Sequence, residues 1–278
     1  MAAKVIRCGG RSQDTVRPVT VEYDIYGYAA GSLLYSCGDT KILCAITIQD
    51  GVPHFLRGKG GGWLTAEYSM LPAATTVRTP RETSTPRANG RSVEISRLIG
   101  RVLRTVIDFQ ALGERTIFVD CDVLQADGGT RTASITAASL ALVRAQARWM
   151  ANGLCSRPVL KDTIAAVSVG CSDSISKSFS ELDLLLDPDF KEDRDLNADF
   201  NVVITRSGKL IEIQGGAERA PMDWKAFEQV CALAMSGVKQ IFEHIDTSVS
   251  SQLSVSDLVP VKGGGVTLAE RFGRTGQV

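Results

Sequence analysis

One segment carries a strand, a glycine turn and a helix start in direct succession: Arg115-Thr-Ile-Phe-Val-Asp-Cys-Asp-Val-Leu-Gln-Ala-Asp-Gly-Gly-Thr-Arg-Thr132. Its first ten residues alternate, so that Ile117, Val119, Cys121 and Val123 share one face of a half-buried strand. The stretch after the glycines is rich in alanine and leucine as far as Trp149, which predicts a helix. The segment therefore sets a strand–turn–helix unit at the centre of the fold.

Strand-like and helix-like patterns continue on both sides of this unit. Apolar residues recur every three or four positions from Ile95 to Ile107, and a last helix is predicted from Asp223 to Ile245. Strands are predicted at Thr20–Tyr23, Ser32–Tyr35, Thr40–Ile48, Trp63–Leu71, Thr163–Val169, Glu181–Leu186, Phe200–Ile204 and Leu210–Ile213. This order is typical of an α+β protein in which mixed sheets pack with helices. We expect a single domain over residues 1–245 and a flexible C-terminal tail over residues 246–278.

The overall composition is that of a globular protein. The chain has 278 residues, 44% of them hydrophobic, and 31 basic residues balance 31 acidic ones. No apolar run approaches the roughly 18 residues of a membrane span, so no membrane association is expected. Seven cysteines without a Cys-x-x-Cys pair indicate buried free thiols and a cytoplasmic location. Zero net charge excludes a generally basic nucleic-acid binder but not a site with focused charge.

The positive charge is concentrated between residues 73 and 104. This stretch contains seven arginines, no lysine and two glutamates. Its first part, residues 73–90, is predicted to be a long exposed loop, here called the arginine loop. Arginine suits bidentate recognition of phosphate, and Arg97, Arg101 and Arg104 share one helix face. A solvated polar face joined to a solubilising loop is the alternative interpretation.

The negative charge is concentrated between residues 181 and 199, which contain eight acidic residues and only two basic ones. Carboxylates on one connection suit a hard cation, since Mg²⁺ is usually held by one or two carboxylates together with substrate phosphates. An acidic surface loop between strands is the alternative, and composition alone favours it.

The glycine turn has the parts of a phosphate site. Asp127-Gly-Gly-Thr-Arg131 combines close backbone approach, a helix N-terminus, a hydroxyl and a fixed cation, although it is not a Walker A loop. Asn89-Gly-Arg-Ser92 precedes another helix and offers the same parts, so two helix starts could converge on one phosphate. A glycine-rich turn with a threonine N-cap is the structural alternative.

Other chemistries lack the residues that they need. The two histidines, His54 and His244, lie in no metal-spaced cluster, and no Gly-x-Ser-x-Gly motif is present. Arginines and backbone amides around phosphate, with carboxylates around a metal, fit phosphoryl or nucleotidyl transfer.

Several segments together resemble the ribonuclease PH family of phosphate-dependent exoribonucleases. They are Val16-Arg-Pro-Val-Thr20, Glu67-Tyr-Ser-Met-Leu-Pro72, Gly90-Arg-Ser-Val-Glu-Ile-Ser-Arg-Leu-Ile-Gly-Arg101, Leu112-Gly-Glu-Arg-Thr116, the central Asp120–Thr136 segment, Glu192-Asp193, Asp199-Phe-Asn-Val-Val203 and Glu212-Ile-Gln-Gly215. The resemblance covers residues 5–245. The sequence departs from the motifs of the family at Ala73, Asp187-Pro188, Arg194-Asp195, Gly216 and Arg219.

The resemblance implies an α+β ribonuclease PH domain and a phosphorolytic activity. Family members trim the 3′ ends of RNA, especially tRNA precursors, and they act in tRNA and rRNA processing. Inorganic phosphate is the co-substrate, a nucleoside diphosphate is released, the reaction is reversible, and Mg²⁺ assists. The resemblance also implies a homohexameric ring built as a trimer of dimers.

The resemblance further implies a role for individual residues. Phosphate binding falls to Arg91, Gly129, Thr130 and Arg131. Asp193 and Asp199 are the catalytic and metal-binding carboxylates, with Asp199 as the essential acid. Arg78 and Arg81 would bind RNA, and we add Arg87 from the same loop, which has no match in the family motifs.

Two other functions compete with this interpretation. A non-catalytic RNA-binding ring subunit of an exosome-like assembly is the first, although such subunits usually lack the arginines or aspartates that this chain keeps. A phosphate-binding metabolic enzyme is the second, and it would explain the glycine turn but not the arginine loop.

Overall fold

Five strands form the first sheet of the protein, whose computed structural model describes residues 7, 10–81, 89–172, 183–217, 219 and 221–252. The strands are β1 (Val19–Tyr23), β2 (Gly31–Cys37), β3 (Thr40–Asp50), β4 (Trp63–Met70) and β5 (Arg115–Gln125). Their order is β1-β2-β3-β5-β4, and only β4 and β5 are parallel. A parallel pair needs a crossover, and helix α1 (Gly90–Thr105) lies in the connection between these two strands.

Four strands form the second sheet, which is antiparallel throughout. They are β6 (Ile164–Ser172), β7 (Asp183–Leu186), β8 (Ala198–Thr205) and β9 (Leu210–Ala217), in the order β7-β6-β8-β9. Within the acidic stretch, α4 (Phe190–Asp193) is a single helical turn between β7 and β8. The candidate carboxylates Asp193 and Asp199 therefore lie on either side of one short connection.

Three long helices join the two sheets. Helices α1, α3 (Thr130–Ala151) and α5 (Trp224–Gln252) each contact strands of both sheets, while α2 (Phe109–Leu112) is one turn before β5. Two hydroxyls of α3 accept backbone N–H groups of β6: Ser139 Oγ from Ile164 at 2.9 Å and Thr136 Oγ1 from Ala166 at 3.0 Å. These bonds fix α3, and with it the glycine turn at its N-terminus, against the second sheet.

The core follows the predicted periodicities. Alternate residues of β3 and β5 are fully buried, as are the apolar residues of α1 at helical spacing. This buried set includes Ile42, Cys44, Ile46, Ile117, Val119, Val123, Ile95, Leu98, Ile99, Val102 and Leu103. Cys37, Cys44, Cys121, Cys155, Cys171 and Cys231 are free thiols, which confirms the expectation for the cysteines that the structure describes. No helix among the described residues is long and apolar enough to cross a bilayer.

Every predicted strand and helix is present among the described residues, and the differences are short elements and ends. Residues 181 and 182 of the strand predicted at Glu181–Leu186, and residues 253–278 of the predicted tail, lie outside the described residues. Helix α5 continues to Gln252, seven residues past the predicted end, because polar residues that show no period still extend its last turns. The one-turn helices α2 and α4 were not predicted, since four residues are too few to show a helical period. Each begins at an aspartate whose carboxylate accepts two backbone N–H groups, which is the cue that periodicity overlooks.

Candidate active site

A cavity of about 320 Å³ lies where the N-termini of α1 and α3 meet α4 and β8. It is lined by Arg91, Gly129, Thr130, Arg131, Ser168, Asp193, Arg194, Leu196, Ala198, Asp199 and Asn201. All four residues predicted to bind phosphate and both predicted carboxylates are in this set. The structure therefore brings together, in one cavity, residues from four separate segments of the chain.

The glycine turn presents an open helix N-terminus to the cavity. Gly128 and Gly129 have φ values of 76° and 64°, in the left-handed region that glycine adopts without strain. A Cβ on Gly128 would lie 2.8 Å from the carbonyl oxygen of Pro188, so any larger residue would clash there. No side chain of the described residues caps α3 at Gly129, which leaves its first N–H groups available for an anion.

Buried partners hold the carbonyl groups of the turn inside the protein. Arg17 Nη1 donates to the carbonyl of Asp127, and Thr40 Oγ1 donates to the carbonyl of Gly128 at 2.7 Å. The backbone N–H of Asp127 donates to Thr40 Oγ1 at 3.0 Å. With its carbonyls engaged in this way, the turn is preorganised to direct N–H groups toward a bound anion.

The two helix starts are connected by an ion pair. Arg131 Nη2 lies 2.8 Å from Glu94 Oε2 on α1, and Asn89 Oδ1 accepts the N–H of Arg91 at 3.1 Å as the N-cap of that helix. Arg131 Nε is buried without a hydrogen-bond partner among the described residues. A buried guanidinium N–H without a partner is costly, and a bound anion would satisfy it.

The hydroxyl of Thr130 is oriented by a buried tyrosine. Tyr68 is 4% exposed, and its hydroxyl donates to Thr130 Oγ1 at 3.0 Å. Burial raises the pKa of Tyr68, so the phenol keeps its proton and remains a donor. Since Thr130 Oγ1 accepts from Tyr68, its own hydrogen is free to donate to a ligand in the cavity.

The carboxylates lie on the second sheet and the turn before it. Asp193 ends α4, and Asp199 is in β8. Asn201 Nδ2 lies 3.5 Å from Asp199 Oδ2, and Ser168 Oγ donates to Asn201 Oδ1 at 2.9 Å. Ser168 therefore fixes the amide of Asn201, which in turn presents its N–H side to Asp199.

A buried network joins the glycine turn to the segment that carries Asp193. Arg17 forms two hydrogen bonds to Asp187, at 2.9 Å to Oδ2 and 2.7 Å to Oδ1. Arg7 forms a similar pair with Glu192, at 2.9 and 2.6 Å, and Glu192 belongs to the capping box of α4. Burial alone would raise the pKa of Asp187, but the hydrogen bonds and charge of Arg17 outweigh it and hold that pKa below its usual value.

The described residues 73–81 of the arginine loop begin beside the cavity but do not line it. Arg78 and Arg81 are exposed, and the loop is tied at its base by Ala126 N, which donates to the carbonyl of Ala74 at 2.8 Å. Ala126 directly precedes Asp127 of the glycine turn, so the loop leaves the protein next to that turn. Arg87 lies outside the described residues.

Two parts of the charged stretches have structural roles instead of the predicted ligand contacts. Arg101 pairs with Glu212 at 2.5 Å, and the Arg104 guanidinium lies 4.8 Å above the ring of Trp63. In the acidic stretch, Asp187 and Glu192 are paired with buried arginines. The prediction that the arginine face of α1 binds phosphate and the acidic stretch binds a cation therefore included more residues than line the cavity.

Sequence reasoning missed several residues of the site. Ser168, Arg194 and Asn201 line the cavity, and Tyr68 and Arg17 support it from below. Arg194 gave a weak signal as one of two bases in the acidic stretch. Arg17 and Asp187 are 170 positions apart, and the sequence around each of them gives no indication that they form a pair.

Comparisons with known proteins match nearly the whole described chain to one family. The family models "3′ exoribonuclease family, domain 1" and "domain 2" match residues 15–148 and 162–237. Ribonuclease PH from Moorella thermoacetica is 48% identical over 237 residues, covering 85% of this chain and 92% of that protein. Ribonuclease PH from Neisseria meningitidis serogroup C (45%, 87% and 96% covered) and from Bacillus subtilis (44%, 86% and 94% covered) are similarly close.

The fold also matches a solved structure described as an Archaeoglobus fulgidus exosome with RNA bound to the active site. The TM-score is 0.68 at 22% identity, over 86% of this chain and 92% of that one. At this identity the match supports the α+β fold.

Proposed function

Because this chain belongs to the 3′ exoribonuclease family, we propose that it is a phosphorolytic 3′-to-5′ exoribonuclease that works in the cavity between α1, α3, α4 and β8. The observation that carries the proposal is the convergence of Arg91 and the Gly129–Arg131 turn with Asp193 and Asp199. Cations and amides suited to phosphate lie beside carboxylates suited to a metal, in one space.

The phosphate subsite binds the nucleophile. Arg91 and Arg131 supply two fixed positive charges, Thr130 donates its hydroxyl, and the open N-terminus of α3 donates backbone N–H groups. Inorganic phosphate held there attacks the phosphorus of the last phosphodiester, and the bond to the 3′ oxygen of the preceding nucleotide breaks. The terminal nucleotide leaves as a nucleoside diphosphate whose β-phosphate was the attacking phosphate.

Charge neutralisation supplies most of the catalysis in such transfers. Two anionic groups must approach each other, and preorganised donors in a confined site stabilise the charge that develops between them. The ion pair of Arg131 with Glu94 and the hydrogen bond of Thr130 with Tyr68 hold these donors in place before substrate arrives.

The carboxylates fit a magnesium site that substrate completes. The described residues contain no cluster of three metal-ligating side chains, whereas Mg²⁺ commonly takes one or two carboxylates and fills its shell with phosphates and water. Asp193 and Asp199 would hold the ion, which when bound lowers the charge on the phosphate oxygens. Asn201 positions the Asp199 carboxylate for this role.

The arginine loop would bind the body of the RNA, and tRNA 3′ ends are the proposed substrate. Arg78 and Arg81 are exposed on a loop that leaves the protein beside the glycine turn, so they could contact backbone phosphates outside the cavity. We further propose a cytoplasmic, homohexameric ring as the working form.

The competing function is a non-catalytic ring subunit of a larger RNA-degrading assembly. The match to an exosome structure motivates it, but at 22% identity that match concerns the fold alone. An intact set of phosphate and carboxylate residues in one cavity favours the active enzyme.

The test uses a 3′-extended RNA with and without inorganic phosphate. We expect shortening only with phosphate, and nucleoside diphosphates as the products. The Asp199→Asn variant should lose turnover but keep RNA binding, because it removes a charge and not the fold. Shortening that needs no phosphate and yields monophosphates would refute the proposal.

A further inference from the structure

Arg194 is a third arginine of the cavity, and neither the predicted site nor the family comparison assigns it a role. It directly follows Asp193 and lines the same space as Arg91 and Arg131. Its side chain is 76% exposed, and its ion pair with Asp195 is long, at 3.5 Å, to a carboxylate that is itself 74% exposed. Such a pair contributes little, so the guanidinium can turn to a ligand at small cost.

The backbone that carries Arg194 is fixed on both sides. Before it, α4 is closed by a capping box between Asp189 and Glu192, and Glu192 is held by the fully buried Arg7. After it, Leu196 is buried, and a Cβ on Gly170 would lie only 2.4 Å from the Leu196 side chain. Because the backbone is already anchored at the cavity, only the side chain of Arg194 has to be ordered when it binds a phosphate group.

The charges of the substrates call for another cation. Inorganic phosphate and the last phosphodiester together bring about three negative charges into the cavity. Against these, Arg91, Arg131 and the proposed Mg²⁺ would supply four positive charges, while Glu94, which is paired with Arg131, and the carboxylates Asp193 and Asp199 add three more negative ones. Since the glycine turn with Arg91 and Arg131 suits the attacking phosphate, Arg194 on the carboxylate-bearing segment is left for the other phosphate.

We propose that Arg194 binds the scissile phosphodiester of the RNA, the group that becomes the α-phosphate of the released nucleoside diphosphate. This inference rests on the proposed phosphorolytic function and adds to it a residue that recognises the nucleotide side of the reaction. Arg194 keeps its charge at all working pH values and can donate two parallel hydrogen bonds to one phosphate group.

The test compares Arg194→Ala with Lys191→Ala, which removes the same charge from the same helical turn but does not line the cavity. Arg194→Ala should raise the KM for RNA, and the KM for nucleoside diphosphate in the reverse reaction, by about tenfold or more. The KM for inorganic phosphate should change much less. Arg194→Lys should recover part of the loss, because it restores the charge but not the bidentate geometry.

A binding measurement separates recognition from turnover. In the inactive Asp199→Asn background, the dependence of log K on log salt should become shallower by about 0.7 when Arg194→Ala is added, as for one lost contact to single-stranded RNA. Lys191→Ala should leave the slope unchanged, and melting curves should show both variants folded.

Two outcomes overturn the inference. One is equal behaviour of Arg194→Ala and Lys191→Ala in both measurements, and the other is an effect confined to the KM for inorganic phosphate. If the unmodified protein itself releases no nucleoside diphosphate, the proposed function fails instead, so the two failures are distinguishable.

Discussion

At the scale of single residues, the site depends on backbone positions as much as on charged side chains. Gly128 turns the chain so closely past Pro188 that no Cβ fits, and this contact presses the phosphate turn against the segment leading to α4. Tyr68 and Thr40 act in a similar supporting way. Tyr68 fixes the hydroxyl of Thr130, and Thr40 fixes the carbonyl of Gly128. The functional cations work only because these neutral groups are in place.

Gly128→Ala should therefore raise the KM for phosphate by more than the strain of a positive φ alone would predict. Its φ of 76° would cost an alanine about 1–2 kcal/mol, and the clash at 2.8 Å adds displacement of the turn. Gly153→Ala is the matched control, because its φ is 70° but nothing lies within 4 Å of its Cβ. Steady-state kinetics should show a raised KM for phosphate in Gly128→Ala only. Equal phosphate KM values in the two variants would mean that the turn does not position the nucleophile.

At the scale of elements, buried ion pairs hold together segments that are distant in sequence. Arg17, two residues before β1, pairs with Asp187 after β7, and the same arginine holds the Asp127 carbonyl. Asp187 has a φ of 50°, an uncommon conformation for a residue with a side chain. The pair thus fixes an unfavourable backbone conformation at the junction of the phosphate turn and α4.

Arg17→Met should destabilise the protein by about 3–5 kcal/mol at neutral pH, because it removes the bidentate partner of the buried Asp187 carboxylate and leaves it with the longer ion pair to Arg11, at 3.5 Å. The folded pKa of Asp187 is depressed, so the stability from this pair is present above its unfolded pKa of about 3.9 and is lost as pH falls through the folded value. Denaturant unfolding at several pH values should show the gap between the two proteins narrowing in acid. Arg157→Met, which breaks an exposed pair with Asp108, should reduce the stability far less than Arg17→Met. A gap for Arg17→Met that is the same at pH 3 and pH 7 would contradict this account of the pair.

At the scale of the whole molecule, local pattern predicts the elements, and the fold decides which charges meet. Alternation in β5 and the period of α1 locate the buried faces correctly, since burial of one face is a property of each element. The same patterns could not distinguish Arg91 and Arg131 in the cavity from Arg101 and Arg104, which pair elsewhere. That distinction depends on contacts between segments that are far apart in the chain.

The C-terminal part of α5 illustrates the same limit. Helix α5 passes the predicted boundary at residue 245, and Ser248 Oγ accepts the N–H of Val21 in β1 at 3.1 Å. A chain truncated after Ile245 should therefore be less stable than one truncated after Gln252, because a backbone N–H of the first sheet loses its partner. Thermal unfolding of the two truncated chains would check this. Identical melting temperatures would show that the last turns of α5 contribute nothing to the first sheet.

The central claim is that phosphate held by Arg91 and the Gly129–Arg131 turn is the nucleophile that cleaves RNA. The most direct measurement supplies ¹⁸O-labelled inorganic phosphate with a 3′-extended RNA and locates the label in the products by mass spectrometry. We predict nucleoside diphosphates that carry the label in the β-phosphate, at a rate that falls sharply in Arg131→Met. Unlabelled nucleoside monophosphates as the main product would show that water is the nucleophile and would contradict the account.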